Sequence, residues 1–150
     1  MDRTENFSTI ERVSWDLLDA YPDIVKDLVY QAEVLKKESE VAIAKHKFAS
    51  GLAANNCPRL SIRPNNRMKY PRIVWVKVRK ANKNDKRVFT TEFKSQRGFK
   101  YRSDTFGTAP KELRGVLRDI ENRAASIRQQ LSMWTEIYQS LNKIEKGREI

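Results

Sequence analysis

Residues 71–102 read PRIVWVKVRKANKNDKRVFTTEFKSQRGFKYR, with apolar and cationic side chains alternating and almost no acids among them. A period of two over so short a run predicts an antiparallel hairpin. Its first strand is Ile73 to Arg79, with Val74, Val76 and Val78 on one face and Ile73, Trp75, Lys77 and Arg79 on the other. The polar loop Lys80–Asp85 leads to a second strand, Arg87 to Lys94, with Phe89, Thr91 and Phe93 opposite Val88, Thr90, Glu92 and Lys94. Gly98 punctuates, and Phe99–Arg102 has the length of a short third strand.

Outward from the hairpin, both flanks change to helical spacing. Ser8 and Glu11 form a capping-box pattern that starts a helix over 9–20. Pro22 lacks an N–H and is expected to interrupt it, so that a second helix runs over 22–50. Thr108 and Pro110 open the last helix, 109–146. Two seams alternate steps of four and three. One is Tyr21, Val25, Leu28, Ala32, Leu35, Ser39, Ala42, His46 and Ala49; the other is Leu113, Leu117, Ile120, Ala124, Ile127, Leu131, Trp134, Tyr138 and Leu141. Run antiparallel, they set Tyr21 against Leu141, Leu28 against Trp134, Leu35 against Ile127, Ala42 against Ile120 and Ala49 against Leu113.

The expected fold is therefore α+β: one domain over 1–150, a long antiparallel helical coiled-coil stalk with a small antiparallel β-hairpin or sheet inserted as its head. Residues 51–72, rich in proline and asparagine, read as an irregular connector or a partly flexible arm. Two helices bury little apolar area, so either the 9–20 helix folds back over the stalk or a second copy completes it, making a homodimer.

The charge is uneven. The chain holds 30 Lys and Arg against 19 Asp and Glu, a net +11, yet residues 59–102 alone hold 15 bases and two acids, Asp85 and Glu92. That +13 stands against −2 for the remainder, the pattern of a surface for a polyanion. The candidate DNA contacts are Arg67, Lys69, Arg72, Lys77, Arg79, Lys80, Lys83, Lys86, Arg87, Lys94, Arg97, Lys100 and Arg102, joined by Lys111, Arg114 and Arg118 at the start of the last helix. Arg79, Arg87, Arg97 and Arg102 are the expected base or minor-groove contacts, because Arg offers a bidentate fork; the lysines hold phosphates. Trp75, Phe89, Phe93, Phe99 and Tyr101 interleave with these cations. Aromatics on a small sheet packed against helices belong to the core more often than to a base-stacking platform. The helix ends distal to the hairpin carry Asp16, Asp19, Asp23, Asp27 and Glu136, a solvated acidic face.

Catalytic chemistry is not expected. A single histidine, His46, cannot build a histidine metal site or an acid–base pair, and the lone Cys57 has no histidine near it in sequence. There is no glycine-rich phosphate loop, and the chain calls for no metal or cofactor. No apolar run approaches the ~20 residues of a membrane span, and nothing at the N-terminus resembles a signal peptide, so a cytoplasmic protein is expected.

The segments RIVWVKVRK, KRVFTTEF and RGFKYRSDTFGTAPKELRGVLRDIENRAASIR, over roughly residues 71–130, resemble the MobI-type conjugative mobilisation proteins of large plasmids and integrating conjugative elements. The resemblance implies a relaxosome auxiliary factor that recognises an origin of transfer in double-stranded DNA and helps a relaxase begin processing it, without nicking DNA itself. Two other classes suit the residues: a coiled-coil adaptor whose basic head meets an acidic protein, and an RNA-binding module that uses the aromatics.

Overall fold

The computed structural model describes residues 9–50, 57–80, 88–94 and 98–148, of which 47–50, 79–80, 88–89 and 148 in their backbone alone. Two long helices, α1 (Thr9–Ser50) and α2 (Lys111–Arg148), enclose three strands, β1 (Arg59–Arg63), β2 (Arg72–Lys80) and β3 (Val88–Glu92). A 3-10 segment, Ser103–Thr108, precedes α2. The fold is α+β, with one three-stranded antiparallel sheet ordered β1-β2-β3.

Much of both helical seams is interior. Tyr21, Leu28, Ala32, Leu35 and Ser39 of α1 are buried, as are Leu113, Leu117, Ile120, Ala124, Ile127 and Leu131 of α2. The helices run antiparallel. The Tyr21 ring stacks on Tyr138 at 4.1 Å and its hydroxyl shares a 2.9 Å hydrogen bond with Thr135, while Glu38 further along α1 meets Arg123 further back on α2. Leu35 and Ile127 border one groove, and Ala42 and Ile120 another, as the expected register has them, but Tyr21, expected against Leu141, meets Tyr138 and Thr135 instead. The Arg123 guanidinium, donating to both Glu38 oxygens, holds that carboxyl below its ordinary range. Leu35 is 3% exposed, so Leu35→Ala is expected to cost about 2–5 kcal/mol. Urea denaturation measures it, and a loss under ~0.5 kcal/mol would place Leu35 outside the core.

Three further expectations need correction. Pro22 does not divide the helix: α1 is continuous from Thr9 to Ser50, so residues 9–20 extend it rather than fold back as a separate helix. An internal proline forfeits one backbone hydrogen bond, at a cost of ~3 kcal/mol. Here the neighbouring Tyr21 is anchored to α2 by its stack and its hydroxyl, and the exposed Pro22 ring faces outward. Within the segment read as a connector or arm, Arg59–Arg63 forms β1. Its Leu60 and Ile62 turn toward the helices while Arg59, Ser61 and Arg63 face away, an alternation that the flanking Pro58 and Pro64 conceal. The residues 99–102 read as a third strand form none; the third strand is β1. The first expected strand, 73–79, lies within β2, and β3 occupies 88–92 of the second; the 80–85 loop falls mostly outside the described residues.

Strand pairing assigns the two sheet faces. Leu60 lies opposite Trp75 and Ile62 opposite Ile73, and these four pack onto the helices, with the Trp75 ring edge-on to Phe106 at 4.9 Å. The other face carries Arg59, Ser61, Arg63, Arg72, Val74, Val76, Val78, Thr90 and Glu92. Arg63 donates to Thr90 Oγ1 at 2.8 Å although Arg63 is opposite Arg72 and Thr90 opposite Val78. In a flat β2 those positions stand ~20 Å apart. The strand must therefore be strongly coiled, with this outer face concave. Val74 and Val76 are buried on this concave side, away from the helices.

Cys57, just before β1, is 4% exposed, and burial pushes its thiol up from 9.0 to about 11, against a smaller lowering by Arg59. Since the folded state disfavours the thiolate, this contribution to stability is intact below the unfolded thiol's pKa and is lost as pH rises from about 9 toward about 11. At pH 8 the native thiol is expected to react with a disulfide reagent about 100-fold more slowly than the unfolded one, from its smaller thiolate fraction. Equal rates with and without denaturant would contradict the burial.

Candidate nucleic-acid interface

The expected contact residues divide into engaged cations, free cations and cations outside the described side chains. Arg72 is engaged: its guanidinium donates to both oxygens of Glu92, at 2.8 and 3.0 Å, across the concave face. The bidentate bond draws the Glu92 carboxyl below its usual range and raises Arg72. Lys77 places its ammonium 5.3 Å from the centre of the Phe93 ring. Arg114 donates to the carbonyls of Ala109 and Gly107, and Arg118 to that of Ser103 at 3.4 Å, so both brace the 3-10 segment against α2.

Arg67, Lys69, Lys94, Lys100, Arg102 and Lys111 are exposed, and their side chains have no hydrogen bond or ion pair among the described residues. Lys94 follows β3, Lys100 and Arg102 bracket Tyr101, and Lys111 opens α2, so they lie along the far edge of the sheet and the head of α2. Arg67 and Lys69 belong to the β1–β2 connection, where the Asn65 side chain accepts from the Arg67 and Met68 amides. Arg79 and Lys80 lie on β2 with their side chains outside the description; Lys83, Lys86, Arg87 and Arg97 lie outside the described residues altogether.

The aromatic residues are mostly interior. Trp75 and Tyr101 are buried and Phe93 packs against the core. Phe99, 42% exposed, is the described aromatic of the five that solvent reaches freely; the Phe89 side chain lies outside the description.

Residue spacing did not point to the group that holds the head onto the helices. Glu121 of α2 is 1% exposed, and its two oxygens accept from Trp75 Nε1 at 2.9 Å, the Tyr101 amide at 2.7 Å and the Arg128 guanidinium at 2.8 and 3.0 Å. Arg128 also donates to the carbonyls of Ile73 and Phe99 and lies 4.9 Å over the Tyr101 ring. One carboxylate and one guanidinium thus tie β2 and the Phe99–Tyr101 segment to α2. The cations missed in the sequence are Arg59 and Arg63, which β1 turns onto the concave face; the R-L-S-I-R alternation was the available signal.

Lys and Arg ammonium and guanidinium groups with free donors neutralise phosphates and release condensed counterions. A curved sheet with a free-cation border offers that chemistry in one place. Among the described residues no cluster of three or more His, Cys, Asp or Glu could hold a metal ion, and no helix is long and apolar enough to cross a membrane. A family model described as MobI protein matches residues 28–142, which takes in the α2 seam, the α1 seam from Leu28 onward and the whole sheet. No curated protein and no solved structure matches the chain.

Proposed function

The chain belongs to the MobI family, which implies a role in conjugative mobilisation, and on that premise we propose that it is a non-enzymatic, cytoplasmic, duplex-DNA-binding auxiliary. It recognises the origin of transfer of a plasmid or integrative element and assists a relaxase in starting transfer, with two copies acting together on the DNA. The observation that carries this is the density of charge: 15 bases against two acids in 59–102, and six exposed cations, without a partner among the described residues, bordering the sheet or opening α2. The helix pair, packed as an antiparallel coiled coil, is a rigid support, and the Glu121–Arg128 bonds fix the basic head upon it. In this role Arg67, Lys69, Lys94, Lys100, Arg102 and Lys111 contact phosphates. Arg72 becomes available for base edges only if Glu92 releases it.

Titration with salt tests the proposal. Six phosphate contacts correspond to a slope of about −5 in log affinity against log salt, and to a loss on the order of 1,000-fold between 50 and 200 mM. Binding to an origin-of-transfer duplex is expected to show this slope and to exceed binding to single strands or RNA. Affinity that ignores salt, or is equal for RNA, would overturn duplex DNA as the ligand.

A further inference from the structure

The sheet covers only one side of the helix pair. On α2, Glu121 and Arg128 face the sheet, whereas Val116, Arg123 and Gln130 lie about half a turn round the helix. On that opposite side two grooves, of ≈510 and ≈320 Å³, run end to end between α1 and α2 and share Val34. Val34, Val41 and Val116 border the larger and Tyr30 the smaller, and these four are 39%, 44%, 46% and 64% exposed. Because residues 9–20 continue α1 instead of folding back, this part of the chain does not cover them.

We propose that a second copy of the chain covers this face, with α1 antiparallel to the partner's α1. Together the grooves occupy residues 30–45 of α1, whose midpoint falls between Lys37 and Glu38. A two-fold axis there sets Val34 against the partner's Val41, Lys37 against the partner's Glu38 and Tyr30 against the partner's Lys45. The contacts are then apolar on apolar, cation on carboxylate, and cation on aromatic ring. A parallel arrangement would instead set Lys37 on Lys37. The patch extends ~24 Å along α1 and ~20 Å across the two helices. That is roughly 1,000 Å² over both copies, at the lower bound for a specific interface, so the pair dissociates on dilution. The face rests on the pairing of copies in the proposed function and gives it a location: the two sheets lie on opposite outer sides of a four-helix layer.

Sedimentation equilibrium and cysteine cross-linking test it. The mass of the full chain is expected to rise from 17.6 kDa toward twice that with concentration. Val34→Asp with Val41→Asp is expected to raise the dimer dissociation constant at least ~100-fold with helicity unchanged. Mild oxidation of the Val34→Cys, Val41→Cys double variant is expected to give a covalent dimer and neither single variant to do so, because each cysteine would face a valine. Within one chain the two positions are ~10 Å apart on the helix, too far for a disulfide, and buried Cys57 does not compete. A mass of 17.6 kDa at every concentration would overturn the pairing itself. A dimer that tolerates both aspartates and resists the double-cysteine cross-link would overturn this face alone. Duplex binding is read separately in the salt titration, so a failure of either proposal is distinguishable from a failure of the other.

Discussion

Glu121→Ala is expected to destabilise the fold by about 3–5 kcal/mol, the cost of stripping a buried charge of its partner. The substitution removes the acceptor of the Trp75 indole N–H, which has no solvent to turn to, and of the Tyr101 amide. It also leaves Arg128, whose side chain is 13% exposed, without its carboxylate. Glu121→Gln keeps one acceptor and is expected to fall between the alanine variant and the native protein. The exposed pairs provide the contrast: Arg72–Glu92 and Arg123–Glu38 are both more than a third exposed, and breaking either is expected to cost about 0–1 kcal/mol. Urea denaturation followed by circular dichroism compares the four variants. A loss under ~1 kcal/mol for Glu121→Ala would mean that the sheet is not held to α2 by this carboxylate.

The second large effect is on DNA affinity. Reversing Lys94, Lys100 and Arg102 together to glutamate is expected to lower affinity for duplex DNA on the order of 100-fold or more and to flatten the salt slope by about three. All three side chains are exposed and bond nothing among the described residues, so helicity and urea midpoint should stay unchanged. Reversing Lys26, Lys143 and Lys146, which lie on the helices away from the sheet, controls for net charge. Equal losses for the two triples would show that affinity follows overall charge and not the border of the sheet.

The helical seams were legible in the residues because a four-three spacing gathers Leu, Ile and Ala onto one stripe of a helix, whereas on a strand it would scatter them over both faces. Leu113, Leu117, Ile120 and Ala124 are interior as that spacing demands. β2 was legible in the same way at period two. What escaped was set by tertiary context. Pro22 carries a local penalty that says nothing of the Tyr21 stack beside it. β1 is five residues between prolines and becomes a strand only because β2 offers a partner. Glu121 reads as one more charge on a charged helix, since nothing along the chain announces that Trp75 and Tyr101, 46 and 20 residues away, bring their N–H groups to it. For the candidate site, composition located the basic region but could not separate Lys94, Lys100 and Arg102, which bond nothing among the described residues, from Arg72, whose charge Glu92 already answers.

The contact between Tyr21 and Thr135 joins positions 114 residues apart. During synthesis at ~5–20 residues per second, α1 therefore waits on the order of 5–20 s before the last turns of its partner helix are made. The β1–β2 and β2–β3 pairings are local by comparison and complete earlier on the nascent chain. Once formed, the sheet shortens the loop whose closure brings α2 back along α1, so the entropy of that closure is divided between two smaller steps. Until then α1 presents Tyr21, Leu28, Leu35 and Ile43 to the ribosome surface and to neighbouring chains. The basic head is thus also the turn that lets the two ends of the polypeptide find each other.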